Sequence, residues 1–253
     1  MYPHRRIVRQ IFMLGLSVSL VILALSACGG EEQQKESKPR PLPENGKALR
    51  AGEYRSEEFK PSLSFRVGKG WSSAPLEAPG FLGITRGDNE DLGFFDVQEV
   101  YKPTRTGMPT KAVDAPKDLV AWFQHHPYLQ TSKPEPVMIG GIKGVQVDMV
   151  LGDLPRGYYG LCRSIVGHRN CVDISSVTTD SPRGDLELFV TKAEKIRSIV
   201  LDDVEGETVT IGFSSPAAEF DEFAPKAQKV LKTVEWKDAQ GATPRAYSPD
   251  YLE

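Results

Sequence analysis

Residues 195–213 read KIRSIVLDDVEGETVTIGF, and this stretch decides the class of the fold. Val209, Ile211 and Phe213 alternate with Thr208, Thr210 and Gly212, a period of two that only an extended strand turns into two distinct faces. Residues 195–202 read as a second long strand. Between them, 203–207 carry Glu205-Gly206 at their middle, the residue types of a tight hairpin turn. Two long strands joined this way are antiparallel.

The same alternation recurs upstream. Leu63, Phe65 and Val67 share one face with Ser64 and Arg66 on the other, and Val145, Val147, Met149 and Leu151 alternate with Gln146 and Asp148. Further strands are expected at 81–86, 92–101, 158–166, 171–177 and 186–191. Two helices interrupt this pattern. After Asp114-Ala115-Pro116, where Asp114 can cap and the proline suits a first turn, Leu119, Trp122, Phe123 and His126 fall on one helical face and Pro127 ends the run. The second follows Ser215-Pro216, with Phe220, Phe223, Ala227, Val230 or Leu231, and Val234 as its apolar stripe. Glu219, Asp221 and Glu222 near its start and Lys226, Lys229 and Lys232 near its end suit the helix dipole. Pro225 is expected to kink or split it. Strands with a few helices, without alternating βα units, predict a single α+β domain over residues 53–236, mostly antiparallel sheet with helices packed on it.

Outside that domain the sequence reads differently. Arg5, Arg6 and Arg9 precede an uncharged apolar run at 11–27, which ends in Leu25-Ser26-Ala27-Cys28. A basic start, an apolar middle and small residues before a cysteine make 1–27 a lipoprotein signal peptide. The small side chains admit a peptidase to the scissile bond, and the Cys28 thiol accepts the lipid. A run of this length is short for a membrane span of about 20 residues, and Gly29-Gly30-Glu31-Glu32 supplies no basic flank. Residues 28–52, with Pro39, Pro41 and Pro43 among charged and small residues, read as a tether with a coil-like span on the order of 25–30 Å. Residues 237–253 read as a polar tail. The expected location is therefore extracytoplasmic, lipid-anchored to the cell or outer membrane.

Removal of 1–27 leaves 28 Lys and Arg against 34 Asp and Glu, a net charge of −6. That acidic excess argues against nucleic acid as a partner. The chain has 3 cysteines. With Cys28 lipidated, Cys162 and Cys171 remain to pair in an oxidising compartment. A regular hairpin placing them opposite each other would turn at Val166-Gly167; otherwise the bridge requires an irregular loop.

The order of these elements resembles the PsbP-like superfamily over roughly residues 59–236. The layout carries the resemblance: an opening Phe65-Arg66-Val67-Gly68-Lys69-Gly70-Trp71, a mid-chain helix, a long meander, and a closing helix ending Leu231-Lys232-Thr233-Val234. The resemblance implies a non-enzymatic binding or assembly module with no catalytic motif to carry over.

No HExxH, Walker loop, G-x-S-x-G or dinucleotide fingerprint occurs, so neither an enzyme nor a cofactor is expected. His125-His126, with His168 as a third candidate metal ligand, point about 100° apart on a helix and suit one ion poorly; His126 reads as core-facing and His125 as solvated. Asp88-Asn89-Glu90-Asp91 and the acids Asp202, Asp203, Glu205 and Glu207 read as solvated turns without the spacing of a calcium loop. Among the aromatics Phe94, Phe95, Tyr101, Tyr158, Tyr159 and Phe189, adjacent Tyr158 and Tyr159 must face opposite ways on a strand. With Arg163 they are the candidate binding residues. The function expected is a membrane-anchored accessory module meeting an envelope protein partner, or alternatively a small-molecule or metal-binding lipoprotein serving a transporter or sensor.

Overall fold

The computed structural model describes residues 38–43, 46–74, 77–107, 112–160, 162, 171–177 and 186–237. In chain order the first strands are β1 (Arg40–Pro41), β2 (Gly52–Arg55), β3 (Leu63–Val67), β4 (Trp71–Ser73), β5 (Phe81–Arg86), β6 (Glu90–Phe95), β7 (Glu99–Tyr101) and β8 (Ala112–Asp114). Helix α1 (Leu119–His125) leads to β9 (Leu129–Thr131), β10 (Glu135–Ile139) and β11 (Ile142–Leu151). The chain ends through β12 (Cys171–Val177), β13 (Leu186–Thr191), β14 (Glu194–Val204), β15 (Glu207–Pro216), α2 (Phe220–Leu231) and β16 (Glu235–Trp236). Mostly antiparallel sheet with two helices is the α+β architecture expected.

A central sheet runs β10-β11-β14-β15-β6-β5-β4, with β9 added on β11. Its middle is the hairpin of the opening stretch: β14 and β15 pair from Glu194↔Pro216 to Val204↔Glu207. The turn residues Glu205 and Gly206 have φ of 58° and 93°, the doubly left-handed turn whose twist matches paired strands.

Both faces of this sheet are covered. On one lie α2 and the outer sheet β1-β2-β3-β16, enclosing Leu82, Phe94, Ile199, Ile211 and Phe213. Phe213 stacks on Phe220 of α2 with ring centres 5.8 Å apart, and Trp71 and Phe213 meet Phe223. The Trp236 indole N–H donates to the Ile139 carbonyl at 3.2 Å, closing the last strand over the core. On the other face lie α1 and the covering sheet β13-β12-β7-β8. Alternation along each central strand thus feeds two cores at once, which is why β5 and β6 show unbroken burial over 81–84 and 92–95.

Several boundaries differ from expectation, each for a physical reason. The stretch 92–101 is two strands in different sheets: β6 ends at Phe95, and β7 pairs with β12 and β8. Helix α1 is capped by Asp118 rather than Asp114; the Asp118 carboxylate accepts the Ala121 N–H at 2.8 Å while Asp114 ends β8. Pro225 does not split α2, which runs on through it. The proline removes only the donor to the exposed Asp221, its ring faces solvent, and buried Phe223, Ala224 and Ala227 pin the helix on either side. The end of the expected tether joins the domain: Arg40 and Pro41 pair with β2, and Leu49 is buried. Residues 238–253 of the expected tail, and 1–37, lie outside the described residues.

Candidate functional site

The central sheet carries an unusual row on the face that meets the covering sheet. Gly83 of β5 stands opposite Gly93 of β6, Gly93 opposite Gly212 of β15, and Gly212 opposite Ser198 of β14. Four neighbouring strands thus present three glycines and a serine side by side, where a sheet face ordinarily carries bulk. Phe81 and Phe95, two residues away on the same face, fold back over this bare backbone. A Cβ on Gly83 would lie 2.6 Å from Phe81 Cζ, and one on Gly93 would lie 2.5 Å from Phe95 Cζ. The two phenyl rings pair with centres 5.2 Å apart, so they lie low and leave room beside them.

That room is a cleft of about 300 Å³. Its roof comes from Ile174 of β12 and Leu186, Leu188 and Phe189 of β13, with Phe123 of α1 and Met149 of β11 at the flank. Volumes near this value begin the range typical of small-molecule sites. The lining is mainly apolar, and its polar groups are few and specific. Ser198 and Thr210 are 3% and 4% exposed, and their hydroxyl oxygens have no hydrogen-bond partner among the described residues. Leaving such a group unsatisfied costs about 1–3 kcal/mol, which a bound polar atom would relieve. Among the described residues, every charged group of the lining is a carboxylate: Asp91, Glu187 and Glu194. Tyr101 donates to Glu187 at 3.5 Å, and the Thr191 hydroxyl donates to Glu194 at 2.7 Å. Asp91 reaches solvent at the cleft mouth. Protein crowding its other side, and then the Glu194 carboxylate, push its pKa upward.

Of the residues singled out from sequence, Phe95, Phe189 and Asp91 line this cleft, whereas the candidate pair Tyr158 and Tyr159 falls elsewhere. Tyr158 is buried in the core beneath α1, edge-on to Tyr128 at 5.1 Å, and burial, followed by the Asp173 charge, pushes its phenol up to about 12. Tyr159 turns outward at 49% exposure, as two adjacent tyrosines must. Of the described residues in 158–166, where the sequence predicts a strand, Tyr158, Tyr159, Gly160 and Cys162 belong to no strand. Cys28 and Arg163 lie outside the described residues, as does His168. Cys162 and Cys171 form a disulfide with Cα atoms 6.5 Å apart. Cys162 belongs to no strand while Cys171 opens β12, and the turn between them lies outside the described residues. The Cys162 N–H donates to Asp173 Oδ1 at 3.0 Å and fixes that end.

The two adjacent histidines part as helix geometry requires. His126 is 4% exposed, 5.1 Å from the Trp122 ring, with Nδ1 accepting the Tyr128 N–H at 3.3 Å. Burial lowers its pKa to about 4. His125 is exposed and bonds the Ala121 carbonyl through Nδ1. Among the described residues, no group of three or more His, Cys, Asp or Glu side chains converges to hold a metal. Glu90 of the acidic run pairs with Arg86 at 2.8 Å and Lys226 at 3.6 Å, and Asp203 accepts the Gly206 N–H within its turn. Glu90 and Asp203 therefore serve hairpin ends, while Asp91 of the first run faces the cleft mouth.

Sequence reading did not find the glycine row. A glycine inside a strand pattern signals a close backbone or side-chain approach, and Gly83, Gly93 and Gly212 each sit so. Only the register brings them together.

No family model matches the chain, and no curated protein does. Among solved structures, the chain is similar to the cyanobacterial PsbP (CyanoP) of Synechocystis sp. PCC 6803, at 12% identity and a TM-score of 0.37, over 77% of this chain and 98% of that one. It is also similar to LpqN of Mycobacterium tuberculosis, a protein involved in cell envelope biogenesis, at 10% identity and a TM-score of 0.34, over 74% of this chain and 85% of that one.

Proposed function

We propose that this chain is a membrane-anchored envelope protein that works by binding rather than by turnover, and that it holds a small ligand in the cleft between its central and covering sheets. The observation that carries this reading is the cleft itself. The glycine row lets the Phe81 and Phe95 rings lie low on the sheet, a cleft of about 300 Å³ remains beneath the covering sheet, and two buried hydroxyls in its lining lack partners among the described residues. A core selected for stability alone would fill such a space, since a void forfeits packing energy. The anchor is supported by the Leu25-Ser26-Ala27-Cys28 motif and the polar stretch after it. A tethered module with a ligand cleft suits delivery to a transporter or sensor in the same envelope.

Two measurements test the two halves. Replacing Cys28 with Ala should move the protein out of the membrane fraction; unchanged fractionation removes the anchor. For the cleft, the purified protein is screened by thermal shift against small envelope metabolites. A hit should raise the melting temperature of the wild type and lose its effect on Ser198→Leu, which fills the floor. A screen in which no compound raises the melting temperature rejects the binding reading.

A further inference from the structure

The cleft also carries information about what it binds, and the inference here rests on the binding reading above. We propose that the ligand is an amphipathic organic cation: an apolar body lying against the Phe81 and Phe95 rings beneath the covering sheet, with an ammonium group held at the mouth by Asp91 and Glu194.

The body follows from the walls. Phe81, Phe95, Leu186, Leu188 and Phe189 offer no hydrogen bond, so the bulk of an occupant must be apolar. From Asp91 to Phe95 the floor runs four residues along β6, about 13 Å at strand rise. An aryl or alkyl body of that length leaves one end at the acids and the other against the Phe81–Phe95 pair. An engineered apolar cavity of about 150 Å³ accepts benzene, and this cleft has about twice that volume.

The sign of the head group follows from the charges. Asp91, Glu187 and Glu194 line the cleft and, among the described residues, no Lys or Arg does. The strong cations of β14 are turned away by the pleat. Lys195 and Arg197 lie on the opposite face of the sheet, over the Phe220 ring of α2, and both pair with Asp148. Among the described residues, a carboxylate or phosphate entering this mouth would meet only like charge in a partly desolvated setting. An ammonium would instead relieve the repulsion between Asp91 and Glu194. The second pointer is inside: the unpartnered Ser198 and Thr210 hydroxyls, each more than nine-tenths buried, sit on the same face as the acids and offer hydrogen bonds to a polar atom along the body.

The test uses three probes with one body and different heads: 4-phenylbutylammonium, 4-phenylbutanol and 4-phenylbutanoate. Binding to the full chain in lipid nanodiscs is measured by equilibrium dialysis, with empty nanodiscs as the blank. The ammonium should bind at least about tenfold more tightly than the alcohol, a difference of about 1.4 kcal/mol, and the carboxylate should not bind. The double variant Asp91→Asn, Glu194→Gln, which alters only groups at the mouth, should bring the ammonium close to the alcohol. Ser198→Leu should abolish binding of both. Equal or tighter binding of the alcohol or the carboxylate overturns the cationic class and leaves the cleft reading standing. Ammonium binding that neither variant weakens places the probe elsewhere and overturns the inference. Retention of no probe by the wild type overturns both readings.

Discussion

His126 is an internal pH gauge whose effect on stability can be worked from its surroundings. Its ring is 4% exposed and lies 5.1 Å from Trp122 and 5.8 Å from Tyr128. Nδ1 accepts the Tyr128 N–H, so the proton of the neutral ring sits on Nε2, which has no partner among the described residues. Burial pulls the folded-state pKa from 6.5 to about 4. Below pH 6.5 the unfolded chain therefore binds a proton at this site that the folded chain refuses. Stability is fully present above pH 6.5 and is lost as pH falls, by about 1.4 kcal/mol per pH unit, levelling near pH 4 at a total of about 3 kcal/mol. The assay is urea unfolding followed by tryptophan fluorescence at several values between pH 8 and 4, for the wild type and for His126→Phe. The Phe variant keeps a ring of similar size in the same aromatic setting and cannot titrate. Other groups contribute to both proteins and cancel in the difference. The wild-type minus variant stability should be constant above pH 7 and fall steadily below 6.5. Parallel curves down to pH 4.5 would show that His126 charges without penalty, and the burial argument would be wrong.

Three further outcomes follow from particular contacts. Asp148 accepts Arg197 Nε at 2.5 Å and Lys195 Nζ at 3.0 Å across β11 and β14; burial alone would raise its pKa, but these partners outweigh it and hold it low. Asp148→Ala should cost about 2 kcal/mol at pH 7 by stranding two half-buried cations, and the difference should vanish as pH falls through the carboxylate's lowered pKa, measured by urea unfolding. Reducing the Cys162–Cys171 bridge, whose cysteines are 9 positions apart, should lower stability by about 2.5–3 kcal/mol on the loop-entropy account. Thiol labelling of either cysteine in the denatured, unreduced chain would contradict the bridge. Gly140 has φ of 57°, and a Cβ there would lie 2.7 Å from the Trp236 ring and 3.0 Å from the Val234 carbonyl. Gly140→Ala should therefore cost about 2 kcal/mol or more in thermal unfolding, whereas Gly141→Ala, which meets nothing within 4 Å, should cost only its backbone strain.

What the sequence made legible was local. Period-two alternation found β3, β11 and β15, and the turn chemistry of Glu205-Gly206 located the β14–β15 hairpin. The 3.6-residue stripe found both helices and set His126 inward. Expectation failed where a choice depended on something distant. Residues 92–101 read as one strand, yet the Asp96 N–H bonds the Gly80 carbonyl and the chain crosses to another sheet. Residues 40 and 41 look like linker by composition, yet β2 offers them an edge, and the Arg40 guanidinium bonds the Arg50 and Ala51 carbonyls and lies over the Tyr54 ring. The candidate pair Tyr158 and Tyr159 was correctly split by geometry, but neither residue lines the cleft.

The cleft illustrates why a binding site can escape a reader of strands. Gly83, Gly93 and Gly212 lie on segments separated by as much as the interval between β6 and β15, and each alone reads as a weak point in its own strand. A shift of one residue in the β6–β15 register would put Leu92 or Phe94 opposite Gly212 and close the floor with a side chain. The register that prevents this is set on the other face, where Leu92 stands opposite Phe213 and Phe94 opposite Ile211 in the core beneath α2. The packed face thus determines the vacancy of the open one. Gly212→Val tests that coupling: its side chain enters the space over which the Phe95 ring lies, with a first carbon only 3.2 Å from Phe95 Cε2. The ring can move only into the cleft, so the substitution should abolish ligand retention while costing less stability than a comparable insertion into the α2 core. Loss of stability with the cleft still able to bind would mean that the glycine row supports folding and not the site.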